Sequence, residues 1–126
     1  MMSEEKLTIS IDPKEDRIRI HRHTLYRLGS PNYILLLYNP EKKIIAIKGY
    51  STGSSNKSMF KVNLTTLPSD CSYEIYSKRL VDRWITDIDD LRPNNTFRLE
   101  GDLVEDQRLA IFPMETLQYI EECGEE

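Results

Sequence analysis

Residues 17–29 have the sequence RIRIHRHTLYRLG, and this stretch decides the fold of the N-terminal part of the chain. Its first five residues alternate between polar and apolar, which is typical of a strand with one buried face. Ile18 and Ile20 then face the interior, and the basic side chains face the other way. From about Thr24 we predict a short helix that ends at the Leu-Gly pair, because glycine accepts the left-handed backbone of a C-terminal cap.

The residues around this stretch extend it into a small β-rich unit. Residues 7–11 also alternate, and the turn-forming residues 12–16 follow them, which predicts a hairpin with an apolar inner face and a cationic outer face. The uninterrupted apolar run 33–38 predicts a strand buried on both faces. A loop at 39–42 then returns the chain into a partner strand over residues 43–48.

The second half begins with a polar segment and again mixes strands with a helix. Residues 51–58 contain no apolar side chain and are predicted to form a flexible loop. A strand is predicted over residues 60–64, whereas residues 72–76 fit either a strand or the start of a helix. Ser77 is a suitable N-cap for the helical pattern that follows it, and Trp84 is expected to anchor that helix in the core.

Two more strands are predicted towards the C-terminal end, over residues 96–104 and 107–112, with an acidic loop between them. Residues 114–120 have weak helical spacing. The turn before the first of these strands, residues 92–95, contains a Pro-Asn pair like the one that precedes the apolar run in the first half.

The two halves therefore share an order of helix, Pro-Asn turn, strand, loop and a strand containing Ala-Ile. The offset is 62 residues between Pro31 and Pro93 and 64 between Ala46 and Ala110, so the alignment needs a two-residue insertion. A true duplication implies two copies of one supersecondary unit. Matches this short also arise by chance, and the sequence leaves both interpretations open.

Length and composition limit the class of protein. With 126 residues, 39% of them hydrophobic, the chain is long enough for one domain or two very small ones. No apolar run approaches the roughly 20 residues of a membrane-spanning helix, and no secretion signal is recognisable. We therefore expect a cytoplasmic protein without membrane contact. Two cysteines are too few for a disulfide scaffold or a zinc site.

The charge is unevenly distributed along the chain. Residues 1–70 hold 11 basic against 7 acidic residues, and residues 71–126 hold 6 against 14, so a net charge of −4 divides into +4 and −8. Residues 17–27 carry four arginines, two histidines and no acidic residue. Such a stretch indicates a surface that attracts polyanions. The alternative is a solvated strand edge whose cations discourage pairing with other molecules.

The stretch 17–29 resembles the opening of the AbrB/SpoVT family of bacterial transition-state regulators. The pattern of that family is a basic and apolar strand, a short helix ending in Leu-Gly, and a hairpin of two apolar strands, and its order fits residues of about 7–50. The resemblance implies a swapped-hairpin β-barrel built from βαββ-type units by dimerisation. Relatives of the MraZ type place two such units in one chain.

From these observations we expect a β-rich α+β fold. Residues 1–50 are assigned to an AbrB-like βαββ unit and residues 51–58 to a polar loop. Residues 59–126 are assigned to a second β/α unit, related to the first if the repeat is real, with a role in dimerisation or effector binding. An intramolecular two-unit barrel and an intertwined dimer both remain open.

The predicted function is that of a transcriptional regulator that binds duplex DNA through an arginine-rich face. Arg17 and Arg22 match the basic positions of the family, and we add Arg19 and Arg27 from the alternation of polar and apolar residues. Guanidinium groups suit this role because they stay charged and donate two hydrogen bonds to phosphate or guanine. In the alternative, Arg17 and Arg19 pair with acidic residues of the turn at 15–16 or of the second half, which neutralises the face.

No catalytic motif, cofactor-binding loop or metal-ligand set is recognisable, so no enzymatic activity, cofactor or metal is predicted. His21 and His23 share one face of an extended chain, but the spacing offers no third ligand. Besides duplex DNA, the predicted partners are a second copy of the chain and a protein that binds the acidic C-terminal half. The alternative function is a non-enzymatic protein-interaction module of similar fold that does not bind DNA.

Overall fold

The structure is a computed structural model that describes residues 6–51, 59–62, 72–88 and 95–120. As predicted, it is β-rich and of the α+β class, with the antiparallel strands curled into a half-barrel. The strands are β1 (Leu7–Asp12), β2 (Arg17–His21), β3 (Tyr33–Asn39), β4 (Ile44–Tyr50), β5 (Met59–Lys61), β6 (Ser72–Tyr76), β7 (Phe97–Val104), β8 (Leu109–Pro113) and β9 (Gln118–Tyr119). The helices are α1 (Arg22–Arg27) and α2 (Lys78–Thr86), with 3-10 turns at Glu105–Gln107 and Met114–Thr116.

The strands are hydrogen-bonded in the order β5-β3-β4-β8-β7-β1-β2-β6, and β9 adds to β7. β7 belongs to two sheets, because residues 97–101 pair with β1 and residues 102–104 pair with β8. We call β6-β2-β1-β7-β9 the first sheet and β5-β3-β4-β8-β7 the second sheet. The two end strands approach each other, since the Tyr73 hydroxyl on β6 donates to the Lys61 carbonyl on β5 at 2.9 Å.

Gly101 stands where β7 changes partner. A Cβ at this position would lie 2.1 Å from the carbonyl oxygen of Ile111 and 2.6 Å from the Phe112 ring. Contacts this short are not tolerated, so only glycine lets β8 approach β7 at the join. The link between the two sheets therefore depends on one residue without a side chain.

The strand order has an internal two-fold pattern. The segments β1-β2-α1-β3-β4 and β5-β6-α2-β7-β8 contain the same succession of elements. β2 pairs with β6 and β4 pairs with β8, while the pairing of β1 with β7 is matched by that of β5 with β3. Exchanging the two segments thus leaves these pairings unchanged, and both segments contribute to one buried core.

The pattern corrects the alignment suggested by the sequence. Lys43 and Arg108 both precede the returning strand of a hairpin with a four-residue connection, and both have left-handed backbone, with φ of 56° and 50°. They are 65 residues apart. The alignment of Ala46 with Ala110 is therefore wrong by one residue: Ala110 is buried, whereas Ala46 lies on the opposite, partly exposed side of its strand. The predicted turn around Pro93 lies outside the described residues, apart from Asn95.

The N-terminal stretch folds largely as predicted. Ile18 and Ile20 are buried, and the polar residues of β2 point outward. Helix α1 begins at Arg22 rather than Thr24, because His21 caps it: its Nδ1 accepts a hydrogen bond from the backbone N–H of His23. Gly29 ends the helix with φ of 91°, the left-handed conformation expected there.

The second half confirms two predictions and corrects one. Ser77 caps α2 by accepting from the backbone N–H of Leu80, and Trp84 is buried. Residues 72–76 form a strand, which resolves the two interpretations of that segment. The helical spacing of residues 114–120 is misleading, because they form a 3-10 turn and the short strand β9, with Met114 buried. The polar residues 52–58 lie outside the described part of the chain.

Candidate functional site

The outward face of the first sheet carries the first two predicted arginines. Arg17 and Arg19 point away from the core on β2. Arg22 and Arg27 instead lie at the first and last positions of α1, where both are half-buried and interact within the chain. The structure therefore brings together two of the four residues on the sheet and places the other two on the helix that follows.

The expectation that these guanidinium groups project unpaired is wrong for Arg17 and Arg19. Nη2 of Arg17 lies 2.9 Å from Oδ2 of Asp12, and its Nη1 lies 3.8 Å from Oε2 of Glu74. Both Nε and Nη2 of Arg19 lie 3.2 Å from the same Glu74 oxygen. The alternative, in which the acidic second half neutralises the arginines, is confirmed for Glu74, although Asp12 replaces the expected acids of the turn.

The strand register causes this pairing. Asp12 stands opposite Arg17 on β1, and Glu74 stands opposite Arg19 on β6. Glu74 also accepts a hydrogen bond of 2.9 Å from the Tyr76 hydroxyl. Two guanidinium groups and two carboxylates occupy this part of the face, so their formal charges cancel.

A third arginine on this face was missed by the sequence prediction. Ser10 stands between Arg19 on β2 and Arg98 on β7. Nη2 of Arg98 donates to Gln118 at 2.8 Å, whereas its buried Nε has no hydrogen-bond partner among the described residues. The alternation of residues 97–101 shows that Arg98 points outward, but only the pairing of β1 with β7 brings it next to Ser10.

A shallow cavity opens beside these groups. It has a volume of about 210 Å³. It is lined by Ser10, Asp12, Arg17, Arg19, Thr96 and Ile120. Because Asp12 lines the same cavity as the two arginines, an anion bound there would meet a carboxylate as well as guanidinium groups.

The outward face of the second sheet is chemically different. Strand β3 was expected to be buried on both faces, but only Ile34 is fully buried, and Leu37 on the other side is 41% exposed. Leu37 lies opposite Ala46 on β4, which lies opposite Ile111 on β8. We call the apolar side chains on this side of the sheet the outer apolar face. Its members are Leu35, Leu37, Ile44, Ala46, Met59, Val104, Leu109, Ile111 and Pro113.

The side chains of the outer apolar face are partly or well exposed, and in the described part of the chain none belongs to the buried core. Two of the charged residues that adjoin it have partners in the chain. Lys48 donates to the carbonyl of Gln107 at 2.9 Å, and its ammonium lies 5.7 Å from the centre of the Tyr50 ring. Asp102, at the edge, pairs with Lys6 at 2.8 Å.

A larger cavity, of about 610 Å³, lies between the β3–β4 loop, the end of α2 and the turn at Met114. Asp87 in its wall accepts a hydrogen bond from the Tyr38 hydroxyl, and the Arg83 guanidinium lies 5.7 Å from the Tyr38 ring. Burial and, to a smaller extent, this hydrogen bond raise the pKa of Tyr38 to about 12. Lys42, Lys43, Asp87 and Glu115 give the wall two charges of each sign, which favours no particular ligand charge.

The described residues contain no group of three side chains able to hold a metal ion. None of the described helices has the length and apolar character needed to cross a membrane. Comparisons with protein-family models, with curated proteins and with solved structures return no match for this chain.

Proposed function

We propose that the protein is a non-enzymatic protein-interaction module that binds its partner through the outer apolar face. The observation that carries the proposal is the row formed by Leu37, Ala46 and Ile111 on the solvent side of the second sheet. Single exposed apolar residues are common, but contiguous apolar patches on a protein surface mark sites of association. The core of an interface is depleted in charge, and the outward positions of β3 and β8 carry no charged side chain.

The first sheet supports a protein partner over DNA. Non-specific attraction to DNA requires basic side chains that can replace the counterions of phosphate groups. Arg17 and Arg19 already have carboxylates as counterions, and Glu74 would lie near any phosphate that approached them. A DNA complex would have to break these ion pairs or accept the repulsion.

We also propose that the fold is the two-unit, swapped-hairpin form implied by the resemblance to the AbrB/SpoVT family. The strand order supports it: the hairpin β1–β2 lies between β7 and β6, which both come from the second segment. Conversely, β5 of the second segment pairs with β3 of the first segment. Each segment thus completes a sheet of the other, as exchanged hairpins do.

The proposed function is tested by comparing the chain with its Leu37→Glu and Tyr26→Glu variants. Tyr26 is a matched control, because it is an exposed apolar residue, at 68%, on α1 and outside the outer apolar face. After nuclease treatment, we expect the immobilised wild type and the immobilised Tyr26→Glu variant to retain a defined protein, and a second copy of the chain counts as such a protein. We expect Leu37→Glu to lose it. Equal retention by all three proteins would contradict the proposal.

A DNA-binding regulator is the second candidate, favoured by the swapped-hairpin order and by the exposure of one ion pair. The Arg19 side chain is 43% exposed, and ion pairs at such sites contribute only about 0–1 kcal/mol, so a phosphate competes with Glu74 at small cost. In this function Arg17, Arg19, Arg22 and Arg27 contact duplex DNA.

Fluorescence anisotropy with a labelled duplex at about 50 mM salt, where electrostatic attraction is strong, separates the two functions. The interaction module gives no salt-dependent binding. A regulator binds, with an affinity that falls in Arg19→Ala and rises in Glu74→Gln, because the second change removes the competing carboxylate. The latter outcome would replace the first proposal with the second.

A further inference from the structure

We infer that the larger cavity, between the β3–β4 loop, the end of α2 and the turn at Met114, binds an aromatic amino acid in its zwitterionic form. The inference goes beyond the proposed function and does not depend on it, because no step of it involves a protein partner. Three properties of the cavity support it: its volume, its apolar lining and the arrangement of its charges.

The volume and the apolar lining of the cavity fit an aromatic ring. The volume of about 610 Å³ lies within the roughly 300–1,000 Å³ that is typical of sites for small organic molecules. The apolar lining residues are partly or fully buried: Ile44, Ile88, Pro113, Met114, Leu117 and Tyr119. The thioether of Met114 and the ring of Tyr119 are groups that make favourable contacts with a second ring. An aromatic side chain therefore has suitable neighbours in this cavity.

Asp87, at the C-cap of α2, provides a position for the ammonium group. It is half-buried, whereas the other charged lining residues in the described chain are exposed. Its Oδ2 accepts a hydrogen bond from the Tyr38 hydroxyl, and its Oδ1 has no partner among the described residues. Arg83, whose guanidinium lies 5.7 Å from the centre of the Tyr38 ring, forms no ion pair with Asp87. A carboxylate oriented in this way can accept a charge-assisted hydrogen bond from an ammonium group.

The lysines of the β3–β4 loop provide the opposite charge. Lys42 and Lys43 line the cavity and are exposed, so they stand at its rim, and they belong to a different element from Asp87. With Glu115 included, the wall carries two charges of each sign. An ion of a single sign would be repelled by two of these groups. A ligand with one ammonium and one carboxylate group is neutral overall and has a counterpart for each end.

The open space is not required by the repeated succession of elements. Lys43 and Arg108 occupy equivalent positions in the two hairpins, and Ile88 follows α2 as Gly29 follows α1. In the half that contains α1, the Arg108 side chain occupies the corresponding place. Its Nε lies 3.5 Å from where a Cβ of Gly29 would stand, and its Nη1 donates to Ser51 at 3.1 Å. The cavity beside Lys43 is therefore a feature of one half of the molecule.

The inference is tested by titrating the full, ¹⁵N-labelled chain with three indole compounds and following the backbone amides by nuclear magnetic resonance. L-Tryptophan carries both charges, tryptamine lacks the carboxylate, and indole-3-propionate lacks the ammonium group. We expect L-tryptophan to shift the amides of Ile44, Asp87 and Leu117 saturably and to leave that of Arg19, on the first sheet, unchanged. Indole-3-propionate should bind at least about 10-fold more weakly, because it leaves Asp87 without a donor. Tryptamine should bind about 2–5-fold more weakly, because the lysines at the rim are exposed.

Two substitutions assign the ends of the ligand. Asp87→Asn keeps an acceptor for the Tyr38 hydroxyl but removes the charge, so it should raise the dissociation constant of L-tryptophan at least about 10-fold. The same change should not weaken the binding of indole-3-propionate. Lys42→Gln should raise the dissociation constant of L-tryptophan about 2–5-fold. Circular dichroism checks that each variant is folded.

The matched controls are Asp106→Asn and Lys14→Gln. Both residues are exposed, lie in turns and are absent from the described lining of the cavity. Each control removes the same kind of charge as the corresponding variant, so the affinity for L-tryptophan should be unchanged. A loss of affinity in a control equal to that in its variant would show that the net charge of the protein decides binding, which would overturn the inference.

The remaining outcomes decide the class of ligand. The absence of saturable shifts in the wall with up to about 10 mM L-tryptophan, a high concentration for a ligand of this size, would overturn the inference. Equal binding of all three indole compounds, or an unchanged affinity in Asp87→Asn, would overturn it as well, since the charges would then play no part. Each of these results leaves the dependence of protein retention on Leu37 untouched, so failure of the inference is distinguishable from failure of the proposed function.

Discussion

The outward faces of the two sheets differ in chemical character, although the sheets share β7. On the first sheet, the outward side chains of β2 are charged and are paired within the chain, with Glu74 opposite Arg19. On the second sheet, the outward side chains of β3, β4 and β8 are mostly apolar and lie outside the described core. The difference shows that the pattern of polar and apolar residues along one strand does not decide whether a face is available to a partner. A charged face whose side chains are paired within the chain offers less to a partner than an apolar face that lies outside the described core.

Gly101→Ala should have the largest effect, because it disrupts the strand that joins the two sheets. The new Cβ would meet the carbonyl oxygen of Ile111 at 2.1 Å, which β8 can relieve only by moving away. We expect the free energy of unfolding to fall by about 3 kcal/mol or more, at the upper end of overpacking effects. Urea denaturation measures the loss. A change below about 1 kcal/mol would show that β8 can shift easily.

A pair of substitutions on β3 sharpens the contrast between the two sides of the second sheet. Ile34 is fully buried, so Ile34→Ala should lower the free energy of unfolding by about 2–4 kcal/mol. Leu37→Ala, on the outer apolar face, should lower it by less than about 1 kcal/mol at concentrations where the chain is monomeric. Thermal and urea unfolding of both variants provide the check. Equal losses would mean that Leu37 is packed within a single chain.

The two ion pairs on the outward face of the first sheet are ranked by comparing the stability of Arg17→Gln with that of Arg19→Gln. The Arg17–Asp12 pair is the more buried, with side chains 25% and 16% exposed, so its loss should destabilise the protein by about 1–2 kcal/mol. Loss of the Arg19–Glu74 pair, which is more exposed, should reduce the free energy of unfolding by about 1 kcal/mol at most. The reverse order in urea denaturation would contradict the assignment of partners.

The smallest effect concerns Tyr38, which joins the second sheet to α2. Its pKa of about 12 means that it stays protonated in the folded protein at pH values where an unfolded tyrosine, with a pKa near 10, is ionised. Its contribution to stability is therefore complete below about pH 10 and is lost as the pH rises towards 12. Burial also raises the pKa of Tyr73, so ultraviolet titration should show one fewer late-ionising tyrosine in Tyr38→Phe than in wild type. An unchanged titration would refute the assignment.

The sequence predicts what depends on neighbouring residues. The alternation of residues 17–21 fixes which side of β2 is buried, and the capping chemistry of Ser77 and Gly29 fixes helix ends. Partners across the sheet come from distant segments, so neither Glu74 beside Arg19 nor Arg98 beside Ser10 follows from local pattern. An unbroken apolar run also looks the same whether the second face is covered by the chain or by another molecule.

The repeat shows the same limit. Two Ala-Ile pairs match as letters, but Ala46 and Ala110 lie on opposite sides of their strands. The left-handed residues Lys43 and Arg108 occupy equivalent positions in the two hairpins.

The pairing of β1 with β7 has a consequence for the growing chain on the ribosome. Leu7 on β1 pairs with Gly101 on β7, 94 residues later. At synthesis rates of about 5–20 residues per second, the first strand waits on the order of 5 to 20 seconds for that neighbour. During this delay the isoleucines of the nascent hairpin are exposed to solvent. Molecular chaperones that recognise short apolar segments should therefore bind the emerging chain before residue 101 is added, and release it afterwards.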